Sequence, residues 1–153
     1  PNEKTGHIDM WGKFLTDDTV IVNEVTDETI TYAPSSSARS FAQTIQTFMN
    51  SRAAEIEALG YNVVRVPMPL PRSGLFRSYT NSLLVNGTAI ITDYVESGYS
   101  DDALMAGYKA KAKKIYENLG YKTVWIPSDE LIATGGAVHC VTMQIPKPIP
   151  TRL

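Results

Sequence analysis

Cys140 is the only cysteine in 153 residues, and it closes the stretch "GGAVHC" at 135–140. A thiolate is a strong nucleophile, but it needs a nearby acid/base to complete a reaction. His7 is one of only two histidines, and Asp9 follows it by two residues in "GHIDM". If that stretch is a strand, the period of two puts His7 and Asp9 on one face. The bland reading of Cys140 is a small buried hydrophobe in an apolar strand. The paired glycines before it speak against that. His139 directly precedes the thiol, so along a strand it points away, and we expect it to pack or to hydrogen-bond rather than act as the base.

Asn81 has two readings, a turn residue opening a strand or a polar group of the same site. Arg72 and Arg77 lie in "PLPRSGLFRSYTNS" and are either solvated or turned to a pocket, with Arg77 the candidate for contacting substrate. Carboxylates such as Asp9 suit a planar cation, because guanidinium pairs with carboxylate through parallel hydrogen bonds. Thiolate attack on a guanidinium carbon, with His7 moving protons, is the chemistry these residue types can make together.

Residues so far apart need elements that bring them to one place. "ALGYNVVRVP" (58–67) and "NLGYKTVWIP" (118–127) match at an offset of 60 residues, which signals a repeat. An amphipathic helix over 37–59, striped by Phe41, Ile45, Phe48, Arg52, Ile56 and Leu59, leads into the first. A helix over 101–119, capped by Ser100 with Asp101 and Asp102 in its first turn, leads into the second along Leu104, Tyr108, Ala112, Ile115 and Leu119. Gly60 and Gly120 stand where a left-handed residue ends each helix.

A strand pair precedes each helix. "HIDMWGKFL" and "TVIVNEV" are joined by Thr16-Asp17-Asp18, and "NSLLV" and "TAIIT" by Asn86-Gly87, a strong hairpin signal. That hairpin also explains the Asn86-Gly87-Thr88 glycosylation triplet. The expectation is an α/β chain of strand–strand–helix–strand units at 1–67 and 79–127. A further unit starts at 135–146 with a strand over "AVHCVTMQI", before the proline-rich "PKPIPTRL". His7, Asn81 and Cys140 then occupy equivalent places near the start of each unit. Units arranged about an axis would gather them.

Composition narrows the function classes. Hydrophobic residues at 43% and charged residues at 20% fit one globular domain, and a net charge of −2 gives no basic surface for nucleic acid or anionic membrane. No apolar run is long enough for a membrane span. One cysteine excludes an internal disulfide, and with two histidines it cannot supply an ordinary zinc shell, so no metal is expected. The chain opens on Pro1 rather than methionine, which suggests a processed or partial product.

"GHIDMWGKFL", "SYTNSLLVNG" and "GGAVHCVTMQIP" resemble signature segments of the bacterial (Porphyromonas-type) peptidylarginine deiminase and agmatine deiminase family. Its members share the pentein fold, five strand–strand–helix–strand units around a pseudo-fivefold axis. The likeness runs through essentially the whole chain and implies a pentein-type β/α propeller, of which about two and a third units, the C-terminal part, are present. It implies Cys140 as nucleophile forming a covalent thiouronium and His7 as general acid/base. Asp9 would hold guanidinium nitrogens and Asn81 would orient the site. No cofactor is implied.

Family members carry another guanidinium-binding carboxylate in an earlier repeat, so the resemblance implies an N-terminal half, in the same or a second chain, as partner. The expected reaction is peptidyl-arginine to peptidyl-citrulline plus ammonia. Alternatives are agmatine to N-carbamoylputrescine, amidino transfer to an amine, or a half-pentein that binds without turnover. An agmatine-type enzyme would be cytoplasmic, and a peptidylarginine-type one secreted or extracytoplasmic.

Overall fold

Two short segments of the chain each build a three-stranded sheet in the same order and sense. They were examined in a computed structural model that describes residue 3 and residues 5–71, 74–95 and 102–145. Strand β1 (Gly12–Phe14) pairs antiparallel with β2 (Thr19–Glu24), which pairs parallel with β3 (Asn62–Pro67). Strands β4 (Leu83–Val85), β5 (Thr88–Asp93) and β6 (Lys122–Pro127) repeat the pattern. A parallel pair needs a crossover. Helices α1 (Asp27–Thr31) and α2 (Ser36–Ala58) supply it in the first unit and α3 (Asp102–Asn118) in the second, while α4 (Asp129–Ala133) follows β6.

The sequence signals at the element ends act as their chemistry requires. Ser35 Oγ accepts from Ala38 N–H at 3.1 Å to cap α2. Gly60 and Gly120 take φ of +92° and +85°. The Tyr61 and Tyr121 amides then donate back to the carbonyls of Ile56 and Tyr116, the Schellman bond that satisfies a helix C-terminus. The matched Leu-Gly-Tyr triplets are therefore helix stops. Asn86 and Gly87 both have positive φ, 48° and 72°, as a two-residue I′ turn demands.

One continuous core joins the two units: Met10, Ile21, Ile45, Met49 and Val66 from the first pack with Ile91, Tyr108 and Tyr116 of the second. Helix α3 lies on β3. Its Tyr108 hydroxyl meets the Thr26 and Thr29 hydroxyls of the first unit, and Tyr121 OH donates to the Leu15 carbonyl at 2.5 Å. Among the described residues no helix is long and apolar enough to cross a membrane.

Three expectations need correction. Ile8–Met10 is a 3-10 turn, not strand: Met10 N–H donates to His7 O and Trp11 N–H to Ile8 O. The β1 ladder runs only from Gly12, opposite Val22, to Phe14. Residues before it have no strand partner and satisfy their amides locally. For the same reason "AVHCVTMQI" is a turn through Val141, with Val141 N–H bonded to Ala137 O and Thr142 N–H to His139 O.

The buried stripe of α2 is Ala42, Ile45, Met49 and Ala53, and Leu59 is 76% exposed. Small residues let the helix approach the sheet, so the larger Phe41, Phe48 and Ile56 fall to its flanks, half-buried. Helix α3 begins at Asp102. Ser100, Asp101, Arg72 and "PKPIPTRL" lie outside the described residues.

Candidate active site

Three turns meet at one rim, and a buried polar network holds two of them together. The Asp9 carbonyl accepts from Thr80 Oγ1 at 2.8 Å, and the Met10 carbonyl accepts from Asn23 Nδ2 at 3.0 Å. Asn23 also donates to Ser78 Oγ, whose hydroxyl in turn caps the Thr80 amide, while Thr92 Oγ1 donates to the Ser78 carbonyl. All four of these side chains are fully buried. Such groups are tolerated only when satisfied, and then they fix geometry. The network thus sets the His7–Met10 turn against the segment 78–82.

Asn81, fully buried, joins the third turn to these two. Its Nδ2 lies 2.8 Å from Asp9 Oδ2, 3.1 Å from Cys140 Sγ and 3.3 Å from Met10 Sδ. Its Oδ1 accepts from the His139 amide at 2.9 Å. Asp9 Oδ2 is the hub. It also takes His139 Nδ1 at 2.6 Å and lies 3.5 Å from Cys140 Sγ. A ring nitrogen of His7, an Asp9 oxygen and Cys140 Sγ all fall within 4.8 Å of one another. These three donors are one short of a closed structural zinc shell.

Cys140 is exposed, which overturns the core-packing reading. The glycines ahead of it have separate tasks. Gly135, at φ +104°, turns the chain out of α4. At Gly136 a Cβ would stand 2.8 Å from Cys140 Cβ and 3.4 Å from its Sγ, closer than side chains come, so the turn that presents the thiol needs glycine there.

The structure gathers His7, Asp9, Asn81 and Cys140. His7, Asn81 and Cys140, expected at or near the starts of strands, arrive by turns instead. Arg77 is engaged elsewhere: its Nε pairs with Asp129 Oδ1 at 3.5 Å, both side chains less than a fifth exposed, and Asp129 Oδ2 accepts from the Val95 amide. Among the described residues no hydrogen bond links Arg77 to the four.

Lys13 was missed. Half-buried on β1, its ammonium donates to the Ser82 carbonyl, one residue beyond Asn81. Burial pushes its pKa down to about 8, opposed by the charges of Asp9 and Cys140. Asn23 was missed too, although a lone amide within the apolar run of β2 was a visible signal.

The chain is similar to known proteins along most of its length. Residues 1–146 match the family described as Porphyromonas-type peptidyl-arginine deiminase. Agmatine deiminase of Pseudomonas aeruginosa (strain LESB58) is 31% identical over 97 residues, 63% of this chain and 24% of the relative. Agmatine deiminase of Enterococcus faecalis superposes with a TM-score of 0.62 at 20% identity, covering 94% of this chain and 41% of that one. A cysteine-to-serine variant of C. jejuni agmatine deiminase, solved with substrate bound, gives a TM-score of 0.54 at 18% identity over 87% of this chain and 35% of that one.

The chain spans about a quarter of the length of that curated relative and about two fifths of the solved chains. Its two units are thus part of a pentein domain. With the family match covering nearly its whole length, the chain belongs to the Porphyromonas-type peptidyl-arginine deiminase family.

Proposed function

We propose that the protein forms the nucleophile-bearing part of a hydrolase that deiminates guanidinium groups, with peptidyl-arginine as the first substrate class. One observation carries this reading. Asp9 Oδ2 is shared by Asn81 from one segment and by His139 and Cys140 from the C-terminal turn, with a His7 ring nitrogen within reach. Among the described residues the hydrogen bonds to the Asp9 carboxylate fall on Oδ2, and Oδ1 is the oxygen left to accept from a guanidinium N–H.

The Cys140 thiolate adds to the guanidinium carbon. The carbon–nitrogen bond breaks, and His7 protonates the departing ammonia. Neutral His7 then takes a proton from water, which attacks the thiouronium carbon. The carbon–sulfur bond breaks, returning the thiolate, and the new hydroxyl gives its proton to ammonia, leaving a ureido product and ammonium. Asn81 sets the distance between thiol and carboxylate throughout. His139, already bonded to Asp9, orients that carboxylate and leaves the proton transfers to His7.

A guanidinium offers five N–H donors, and Asp9 meets only part of them. A second carboxylate from further repeat units of the polypeptide completes the pocket. The test is ammonia release from an arginyl peptide and from agmatine by a polypeptide carrying the complete set of units. Turnover that vanishes in Cys140→Ala and falls at least ~100-fold in His7→Gln supports the reading. A fully active Cys140→Ala enzyme ends it. The agmatine arm is favoured by the curated relatives, which are agmatine deiminases. Faster turnover of agmatine than of the peptide moves the assignment there without altering the roles.

A further inference from the structure

The site places a carboxylate beside the thiol that must ionise. Asp9 Oδ2 lies 3.5 Å from Cys140 Sγ, and a like charge at that range opposes thiolate formation. A nearby cation lowers a cysteine pKa, and reactive cysteines sit in such electropositive surroundings. His7 gives up its proton in the proposed reaction, so it is not a permanent counter-charge. A substrate guanidinium is positive, but it is absent until it binds.

Among the described residues, Lys13 is a further cation in reach, and its charge acts on both Asp9 and Cys140. It sits on β1, three residues after the turn that carries Asp9. Its ammonium is anchored on the Ser82 carbonyl, beside Asn81, whose amide touches Cys140 Sγ at 3.1 Å. We propose that Lys13 is a positioning residue that holds Cys140 as a thiolate before substrate arrives, by setting a fixed positive charge against the Asp9 carboxylate. This deepens the deiminase reading and rests on it for the thiolate's purpose, but not for the measurement.

The groups facing Lys13 from its surroundings are few. The turn before β1 brings Asp9, and the C-terminal turn brings Cys140, with His139 bonded to that same Asp9 oxygen. The facing residue on β2 is the apolar Ile21, and the segment before β4 offers only the neutral Ser82 carbonyl. Among the described residues, the other groups at this corner that could carry positive charge are the His7 and His139 imidazoles, which meet Asp9 or Cys140. The low pKa of Lys13, about 8, means that this charge is present at neutral pH and is lost in mild alkali.

The experiment follows Cys140 alkylation by the neutral reagent iodoacetamide from pH 5 to 11, with thiolate absorbance near 240 nm as a second readout. The chain has one cysteine, so the signal has one source. In Lys13→Met the inflection of the profile should move up by about one unit, and labelling at pH 6.5 should fall ~10-fold. The plateau above pH 10 should not change, which a merely misplaced thiol would not reproduce. Lys13→Arg should restore labelling at pH 6.5, because guanidinium stays charged throughout.

Superimposable profiles for the wild type and Lys13→Met would overturn the inference. If Lys13→Met does not fold, Lys13→Arg decides alone. Its profile should differ from wild type above pH 8, where lysine discharges and arginine does not, and identity there also overturns it. Thiol ionisation and ammonia release are separate measurements. A Lys13 effect without turnover refutes only the deiminase reading, and turnover without a Lys13 effect refutes only this one.

Discussion

The two strand–strand–helix–strand units share sheet order, helix stops and a register offset of 60 between β3 and β6, yet they differ at two places. The first is the rim. The turn before β1 presents ionisable groups, His7, Asp9 and then Lys13, while the matching turn before β4 presents the neutral Asn81. Burial explains the contrast: Asn81 is fully enclosed, where an uncompensated charge is very costly, whereas Asp9 has a histidine and a lysine near it. The second is the flank. Val66 on β3 is fully buried, with α3 lying on that strand, but its counterpart on β6, Ile126, is 38% exposed, and Val124 is 47% exposed.

Exchanging the rim chemistry should break the site most completely. Asn81→Asp puts a second carboxylate in a fully buried position, 2.8 Å from Asp9 Oδ2, and removes the amide that bridges Cys140. Two carboxylates that close cannot both ionise, so one must bind a proton or the turns must part. Turnover of the complete enzyme should fall more than ~1,000-fold, and stability by about 3 kcal/mol or more. Ammonia release and urea denaturation check this. A variant with a tenth of the activity would mean that the neutrality of the second rim is incidental.

The next largest effect tests the presentation of the thiol. Gly136→Ala introduces a Cβ 2.8 Å from that of Cys140, so the turn must shift. Misplacing a reacting group by about 1 Å can cost ~100-fold in rate, and the overpacking itself about 1–3 kcal/mol. Both turnover and Cys140 alkylation should fall together. Gly135→Ala, strained by its positive φ but with open space around its Cβ, should lose stability with much less effect on alkylation.

The flanks offer a smaller and more local comparison. Val66→Ala should cost about 2 kcal/mol through lost burial and the cavity left behind. Ile126→Ala, on a partly exposed strand, should cost about 1 kcal/mol or less, despite removing the larger side chain. A helix of a further repeat unit lying on β6, as α3 lies on β3, would reverse that order. Chemical denaturation of both variants, with and without further units, therefore reads whether β6 is a covered strand.

The scaffold was legible because its signals are local. Leu-Gly-Tyr stops a helix through one residue's φ, and Asn86-Gly87 makes its turn without outside help. β-Branched apolar runs, bounded by turn signals and matched in the repeat, sufficed to place β2, β3, β5 and β6. The site was legible only by position. His7, Asn81 and Cys140 were expected at equivalent places in the units, and they do converge, but the strands expected to carry them are turns. A strand needs a partner to satisfy its amides, and the partner's reach is a tertiary fact. Lys13 was invisible for a similar reason, since on a half-buried edge strand only the fold decides whether it faces water or the Ser82 carbonyl. Arg77 reads the same in sequence as a pocket arginine, and Asp129, 52 residues later, is what engages it.

The gentlest probe of the two rims is pH, because the first titrates and the second does not. The Lys13 pKa is lowered from 10.5 to about 8 in the folded chain. Between those values the unfolded chain binds more protons than the folded one, so stability rises with pH across that window. Below pH 8 both states carry the charge, and the cost of burying it is felt in full. Tyr79, Tyr94 and Tyr116 act in the opposite sense at higher pH. Burial raises all three above the ordinary value of 10.0, so the unfolded chain loses those protons first, and stability falls as pH passes 10. Thermal denaturation should therefore give a Tm that climbs by a few degrees from pH 8 toward 10 and then drops, at ~2–4 °C for each kcal/mol gained or lost. Lys13→Met should remove the climb and keep the drop. A climb that survives in Lys13→Met would place its source elsewhere, and Lys13 would then face more water than its half-buried position on β1 implies.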